Sequence, residues 1–231
     1  MSLSIIIPVF NEKNTIKTIL EKVLKFKSLE KEVIIVDDCS NDGTTEIIKN
    51  LENANTEIIF VKHTKNQGKG AAIKTGLSVA KNELILIQDA DLEYDPSDYD
   101  ELLKPLLSND ADVVFGSRFL GGGTVRVHLF WNFLANKILT LITNIFVNMN
   151  FTDIETGYKV FRSDAIKSIK LRENSFGIEP EITIKLAKKK FKFYEVPISY
   201  YGRNYDEGKK IRIIDAFIAV YCIFKYSIFS K

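Results

Sequence analysis

Two aspartates flank an alanine at Asp89-Ala90-Asp91, directly after the apolar run at 83–88. Carboxylates at i and i+2 beyond a buried strand offer hard oxygen ligands suited to Mg²⁺ or Mn²⁺, with positions left over for substrate phosphates. Glu93 could add a third ligand. The same triplet also fits a turn in which Asp89 caps and Asp91 is solvated, and its place at a strand end is what favours the metal. A second acidic pair, Asp37-Asp38, opens the polar segment Cys39-Ser40-Asn41-Asp42-Gly43-Thr44. Such groups can accept hydrogen bonds from a base or ribose, whereas Asn41, Asp42 and Gly43 read as turn and cap residues. Asn66-Gln67-Gly68-Lys69-Gly70-Ala71-Ala72 looks like a phosphate cradle. Its spacing departs from Gly-x-x-x-x-Gly-Lys-Ser/Thr, which disfavours P-loop ATP hydrolysis. Tight packing of the following helix on the sheet is the stronger reason for its glycines.

These residues need a scaffold, and the first half of the chain supplies one. Runs at 4–10, 32–37, 57–61, 83–88 and 112–115 are rich in Ile and Val and bounded by polar turns. Continuous apolar runs suit parallel strands covered on both faces. Ile16, Ile19, Leu20, Val23 and Leu24 recur at helical spacing, and Asp95-Pro96 opens another helix with proline in its first turn. Strand and helix alternating in this way predict a doubly wound α/β sheet, whose ligand crevice lies beyond the carboxyl ends of the strands. Asn11-Glu12, Asp37-Asp38, Asp89-Ala90-Asp91 and Gly116-Ser117-Arg118 all stand on that rim.

The second half differs. Residues 125–147 are mostly apolar, with His128, Asn132, Asn136, Thr140 and Asn144 four apart on one narrow face. A second apolar stretch at 211–229 is broken by Arg212, Asp215 and Lys225. A clean bilayer span needs roughly 20 apolar residues with few charges, so both stretches read as helices lying in an interface or against a partner. Lys185, Lys188, Lys189, Lys190 and Lys192 form a basic run that suits anionic lipid or simply a solvated helix end. The 231 residues carry 32 Lys+Arg against 30 Asp+Glu, a balance that gives no pull toward nucleic acid. Hydrophobic residues at 45% and charged residues at 27% exclude wholesale disorder. Two distant cysteines, Cys39 and Cys222, fit neither a disulfide framework nor a zinc site. With no secretory signal at its start, the chain is expected to remain in the cytoplasm.

Residues 5–12 (IIIPVFNE), 36–44 (VDDCSNDGT), 66–71 (NQGKGA) and 88–96 (QDADLEYDP) resemble the family-2 glycosyltransferases of the GT-A fold. Gly116-Ser117-Arg118, 153–162 (DIETGYKVFR), 176–182 (FGIEPEI) and 195–210 (EVPISYYGRNYDEGKK) are similar to the polyprenyl- or dolichyl-phosphate mannosyl- and glucosyltransferase branch. The Gln-x-x-Arg-Trp motif of processive polysaccharide synthases does not occur, nor do these residues include the multi-span membrane domain of some branch members. The resemblance implies a GT-A-type, Rossmann-like sandwich with a mainly parallel sheet and amphipathic interface helices. It implies one domain, with a nucleotide-sugar half at 1–118, an acceptor half at 119–210 and an interfacial helix at 211–231.

By that resemblance Pro8, Asn11, Glu12, Asp37, Asp38, Lys69, Asp89, Ala90 and Asp91 line a nucleotide-sugar site. Asp89 and Asp91, with Glu93, would hold Mg²⁺ or Mn²⁺. Arg118 and Arg203 would meet phosphate, ahead of Arg126, Lys209 and Lys210, because the guanidinium fork binds phosphate bidentately. The implied reaction moves a hexose from UDP-glucose or GDP-mannose, the former slightly favoured, onto an isoprenoid phosphate with inversion. The rival acceptor is a saccharide or protein hydroxyl. Asp153 and Glu155 are tempting as acid/base groups but could instead orient arginines. A lipid acceptor implies a peripheral enzyme on the cytoplasmic face of a membrane, with a second copy or a membrane partner as the other occupant of the apolar helices.

Overall fold

Uninterrupted Ile/Val runs lose the least when both faces of a strand are covered, and the computed structural model, which describes residues 1–121, 126–127, 129–203 and 213–229, places them so. Seven strands form one sheet: β1 (Leu3–Val9), β2 (Lys31–Asp37), β3 (Ile58–Lys62), β4 (Leu84–Ile87), β5 (Val113–Ser117), β6 (Lys159–Arg162) and β7 (Phe193–Pro197). Their order is β3-β2-β1-β4-β6-β5-β7. All pairs are parallel except those of β6, which runs antiparallel to both β4 and β5. The helices are α1 (Ile16–Lys25), α2 (Thr44–Ala54), α3 (Lys69–Val79), α4 (Tyr99–Leu107), α5 (Phe130–Val147), α6 (Ser163–Lys167), α7 (Ile178–Lys188) and α8 (Ile213–Ile228). The five expected strands are all present, with ends within two residues, and β6 and β7 are additions to them.

Alternate residues of the central strands feed two cores. Leu3, Ile5, Ile7 and Val9 pack with Ile16, Ile19, Leu20 and Val23 of α1 and with Leu102, Leu103 and Leu106 of α4. Ile6, Ile34, Val36, Ile85 and Ile87 face Ala72 and Ile73 of α3 and Ile178, Ile182 and Leu186 of α7. A Cβ at Gly76 would come within 2.4 Å of Ile6 Cγ2, so α3 lies on β1 only because glycine stands there. Pro8 is tolerated in this central strand for a geometric reason. Ile6 O accepts from Gln88 N and Val9 O from Asp38 N, so the missing N–H at position 8 faces the β4 side, past the last β1–β4 pair, Ile6 and Ile87. The chain leaves β1 for β2 on one side and returns to β4 on the other. This switch point opens a crevice at the carboxyl ends of β1 and β4.

The polar stripe of α5 points inward. Asn136 Nδ2 donates to Asp153 Oδ1 at 3.0 Å, and Asn144 brackets the peptide groups of Phe151 at 2.8 and 3.0 Å. Many of its apolar side chains face outward instead, Trp131 at 75% and Ile145 at 71% exposure, while Leu139 joins the core. Phe217, Tyr221, Phe224 and Ile228 of α8 form a second outward stripe, while Ala219, Cys222 and Ile223 pack inward. Among the described residues α5 alone has the length and composition of a span, and its 18 residues reach only about 27 Å. The basic run is partly structural, because Lys185 pairs with Glu181 and donates to Lys170 O, and Lys189 donates to Ser168 O. His128, Lys209, Lys210 and Arg212 lie outside the described residues.

Candidate active site

β4 ends on a fixed platform. Gln88 Oε1 accepts from the hydroxyls of Tyr99 and Tyr158, each at 2.7 Å, and Gln88 Nε2 donates to Asp89 O at 2.9 Å. The Asp89 carboxylate sits over Gly157, where a Cβ would lie 2.2 Å from Oδ2. Lys69, the first residue of α3, places Nζ 2.9 Å from Asp89 Oδ1 and 3.2 Å from Glu179 Oε1. Burial alone would lower the Lys69 pKa, but Asp89 and Glu179 hold it well above its ordinary value.

Arg203 closes the other side. Its Nη2 donates to Asp91 Oδ2 at 2.8 Å, and its Nε and backbone N donate to Glu93 Oε1 at 3.3 and 2.9 Å. It also lies 3.6 Å from Glu12 Oε1. The second oxygen of Glu93 accepts from Tyr200 OH at 2.7 Å. The Glu93 carboxylate, expected as a third metal ligand, is thus held by the 200–203 segment, while its backbone N donates to Asp91 Oδ1 at 3.1 Å. Burial, with Asp89 and Glu93 adding repulsion and Arg203 partly offsetting them, pushes the Asp91 carboxyl up to about 7.

The second acidic pair ties loops together. Asp37 accepts from Ser40 N at 2.9 Å and Thr45 Oγ1 at 2.5 Å, binding the turn to the start of α2. Asp38 accepts from Gln67 N and Gly68 N, at 2.9 and 2.7 Å, and lies 2.7 Å from His63 Nδ1. Both carboxylates, expected to meet a base or ribose, are buried and build the loops of the crevice. Asn11, at φ 51°, likewise ties loops together, its Oδ1 accepting from Asn41 N at 3.0 Å. Ala90 is buried beneath the rim and Pro8 is half-buried. The glycines of the 66–72 segment also need correcting. A Cβ at Gly68 or Gly70 would meet Asn174 O at 2.3 Å or Glu173 O at 2.7 Å, so they admit the 173–175 segment, and only Gly76 serves the sheet.

Arg118 donates through Nε and Nη2 to Asp153, at 2.7 and 2.8 Å, and its guanidinium lies 5.0 Å from the Tyr200 ring centroid. Asp153 therefore orients an arginine. Burial acts to raise its pKa, but Arg118 holds the carboxylate below its usual range. Arg126 Nη1 donates to Gly202 O at 2.8 Å, beside Arg203. Glu155 differs. Its Oε1 is buried with no hydrogen-bond partner, and burial, reinforced by Glu179, pushes the carboxyl up to about 7.

A carboxyl raised from 4.5 to about 7 favours the fold only when protonated. The penalty is absent below the unfolded value and complete above the folded one, at most about 3 kcal/mol. Glu155→Gln should therefore melt roughly 5 °C above the parent near pH 8 and converge with it at low pH. A difference that stays flat across that range in calorimetric scans would mean that the carboxyl titrates normally. Gln88, Gly157, Glu179 and Tyr200 were not singled out from sequence. A glycine two residues before a strand is the one signal that could have marked this close approach.

A family model described as glycosyl transferase family 2 matches residues 4–170. A dolichyl-phosphate beta-glucosyltransferase of Trichomonas vaginalis is 27% identical over 228 residues, 91% of this chain and 68% of that protein. A dolichol-phosphate mannosyltransferase of Pyrococcus furiosus is 28% identical over 212 residues, 90% of this chain and 59% of that protein. Among solved structures, glucosyl-3-phosphoglycerate synthase from Mycobacterium tuberculosis, in complex with Mn²⁺, UDP and glucosyl-3-phosphoglycerate, aligns with a TM-score of 0.74 at 16% identity, covering 98% of this chain and 80% of that one. At that identity the likeness shows the fold, the GT-A-type α/β sandwich expected from the sequence.

Proposed function

We propose, from the premise that this chain belongs to glycosyl transferase family 2, that it transfers a hexose from a nucleotide sugar to a polyprenyl or dolichyl phosphate with inversion. The observation that carries this reading is the contact between Asp91 and Arg203 at 2.8 Å. It sets the acidic end of β4 directly against an arginine-lined rim, with Arg118 and Arg126 beside it, so a diphosphate and a phosphate monoester can meet there. The relatives named as dolichyl-phosphate glucosyl- and dolichol-phosphate mannosyltransferases support the same pair of substrate classes.

The donor set suits Mg²⁺ or Mn²⁺. Asp89 and Asp91 concentrate negative charge at one point, Asp89 adding to the upward shift that burial gives the Asp91 carboxyl. Among the described residues no group of three or more His, Cys, Asp or Glu is gathered to hold a metal, so further ligands would be phosphate oxygens and water. Bound there, the cation supplies electrostatic stabilisation of the departing diphosphate. The protein does the rest. Lys69 faces the same diphosphate, Asp153 fixes the Arg118 fork, and Arg203 receives the acceptor. A phosphate monoester has a second pKa of about 6, so the nucleophile arrives ionised and alignment matters more than a general base.

The outward apolar faces of α5 and α8 suit a domain resting at headgroup level on the cytoplasmic face of a membrane. Incubation with labelled UDP-glucose or GDP-mannose and vesicles carrying undecaprenyl or dolichyl phosphate should place label in the organic extract. The vesicles should carry the protein upward in a density gradient, and Trp131→Glu/Ile145→Glu should release it. Label confined to a water-soluble saccharide would overturn the lipid acceptor.

A further inference from the structure

Lys159 is wholly buried on β6, at 0% exposure, and nothing derived above uses it. Its Nζ donates to Ile154 O at 3.1 Å, to Thr156 O, and to Glu179 Oε2. The other oxygen of Glu179 lies 3.2 Å from Lys69 Nζ, which in turn lies 2.9 Å from Asp89. Four charges of alternating sign thus run from the interior to the rim: Lys159, Glu179, Lys69, Asp89. Burial works to raise the Glu179 pKa, yet Lys159 and Lys69 hold the carboxylate below its ordinary value. An apolar pair of equal volume would serve stability as well or better, so the charges at Lys159 and Glu179 call for another explanation. The backbone is shaped around the same contact. The 173–175 segment, which leads into α7, approaches the start of α3 so closely that only glycines fit at positions 68 and 70. That approach brings Glu179 to Lys69.

We propose that Glu179, anchored by Lys159, is a positioning residue that holds Lys69 against the donor diphosphate. The proposal rests on the donor-site reading above. Lys69 has two anionic partners, Asp89 and Glu179. With the Asp89 carboxylate engaged by a divalent cation, Lys69 would lose one partner and keep the other. Glu179 then keeps the ammonium at the rim, where phosphate oxygens replace Asp89. A lysine without this tether would have to be ordered on binding, and fixing it beforehand removes that cost.

Glu179→Ala alone would strand the buried Lys159, so the informative variant removes both charges, Lys159→Met/Glu179→Leu. Its binding of UDP-glucose and GDP-mannose in excess Mg²⁺ or Mn²⁺ is compared by calorimetry with that of the parent, of Lys69→Met and of the triple variant. We expect Lys69→Met and the double variant each to weaken binding about tenfold. The triple variant should bind no more weakly than Lys69→Met, because the buried pair acts only through Lys69. Parent-like affinity in the double variant would overturn the proposal, as would losses that multiply in the triple. A double variant that fails to fold would show that the pair is required for stability, and Glu179→Gln would then have to show the same non-additivity with Lys69→Met or the proposal fails. Failure of the parent itself to bind either sugar nucleotide would remove the donor-site reading and this proposal with it, a result recognisable because every variant would be silent alike.

Discussion

Asp91→Ala should cut sugar transfer by about a thousandfold or more while leaving the protein at least as stable as its parent. The two halves of this expectation have one cause. Asp91 is half-buried, and its loss of solvent, reinforced by repulsion from Asp89 and Glu93, pushes its carboxyl up to about 7. Three acidic groups in one place work against the folded state, and Arg203 offsets only part of that. Removing one relieves repulsion, and it also removes one of the two carboxylates proposed to hold the cation. Organic-extractable product measured across a magnesium series, together with a thermal melt, reads both effects. Wild-type turnover by Asp91→Ala in metal-free buffer would refute the role assigned to the pair.

The second large effect is on stability. Asp153 is at 0% exposure and accepts from Arg118 N, Nε and Nη2 and from Asn136 Nδ2, at 3.2, 2.7, 2.8 and 3.0 Å. Asp153→Ala leaves a buried guanidinium without its counter-charge, a loss of about 3–5 kcal/mol. For a chain of this size that corresponds to a fall in Tm of roughly 6–20 °C. The contribution has a definite pH window. Because the folded pKa is depressed, the stabilisation is present above the unfolded value of 3.8 and is lost as pH falls through the folded one. A variant melting with its parent near neutral pH would show that solvent, not Asp153, compensates Arg118.

The acidic pair of β4, the first five strands and the rim of polar strand ends were legible because each follows from a local pattern: an apolar run, then a charged residue. β6 and β7 were not. Both are short, and their charged members, Lys159 and Glu195, break the apolar pattern while finding partners far away in sequence. Glu195 accepts from Thr152 N at 2.9 Å and Lys159 donates to Glu179. The partners that hold Asp37, Asp38 and Glu93 were hidden in the same way. A carboxylate after a strand looks identical in sequence whether it binds a ligand or holds a loop, and only its donors tell the two apart. The polar stripe of α5 was legible as a stripe, but its inward direction was set by Asp153 and the Phe151 peptide, which no spacing within the helix discloses.

The reversal of β6 changes which mutations this enzyme family member can absorb. In a parallel strand the crevice is reached by the segment that leaves it, whereas here it is reached by the segment that enters, residues 153–158. Lys159 pairs with Ile87, two positions before Asp89. One residue gained or lost ahead of β6 would slide that register and swing the Lys159 side chain to the opposite surface of the sheet. Length variation should therefore be forbidden ahead of β6, whereas along the parallel inner strands the constrained side is the one the chain reaches on leaving the strand.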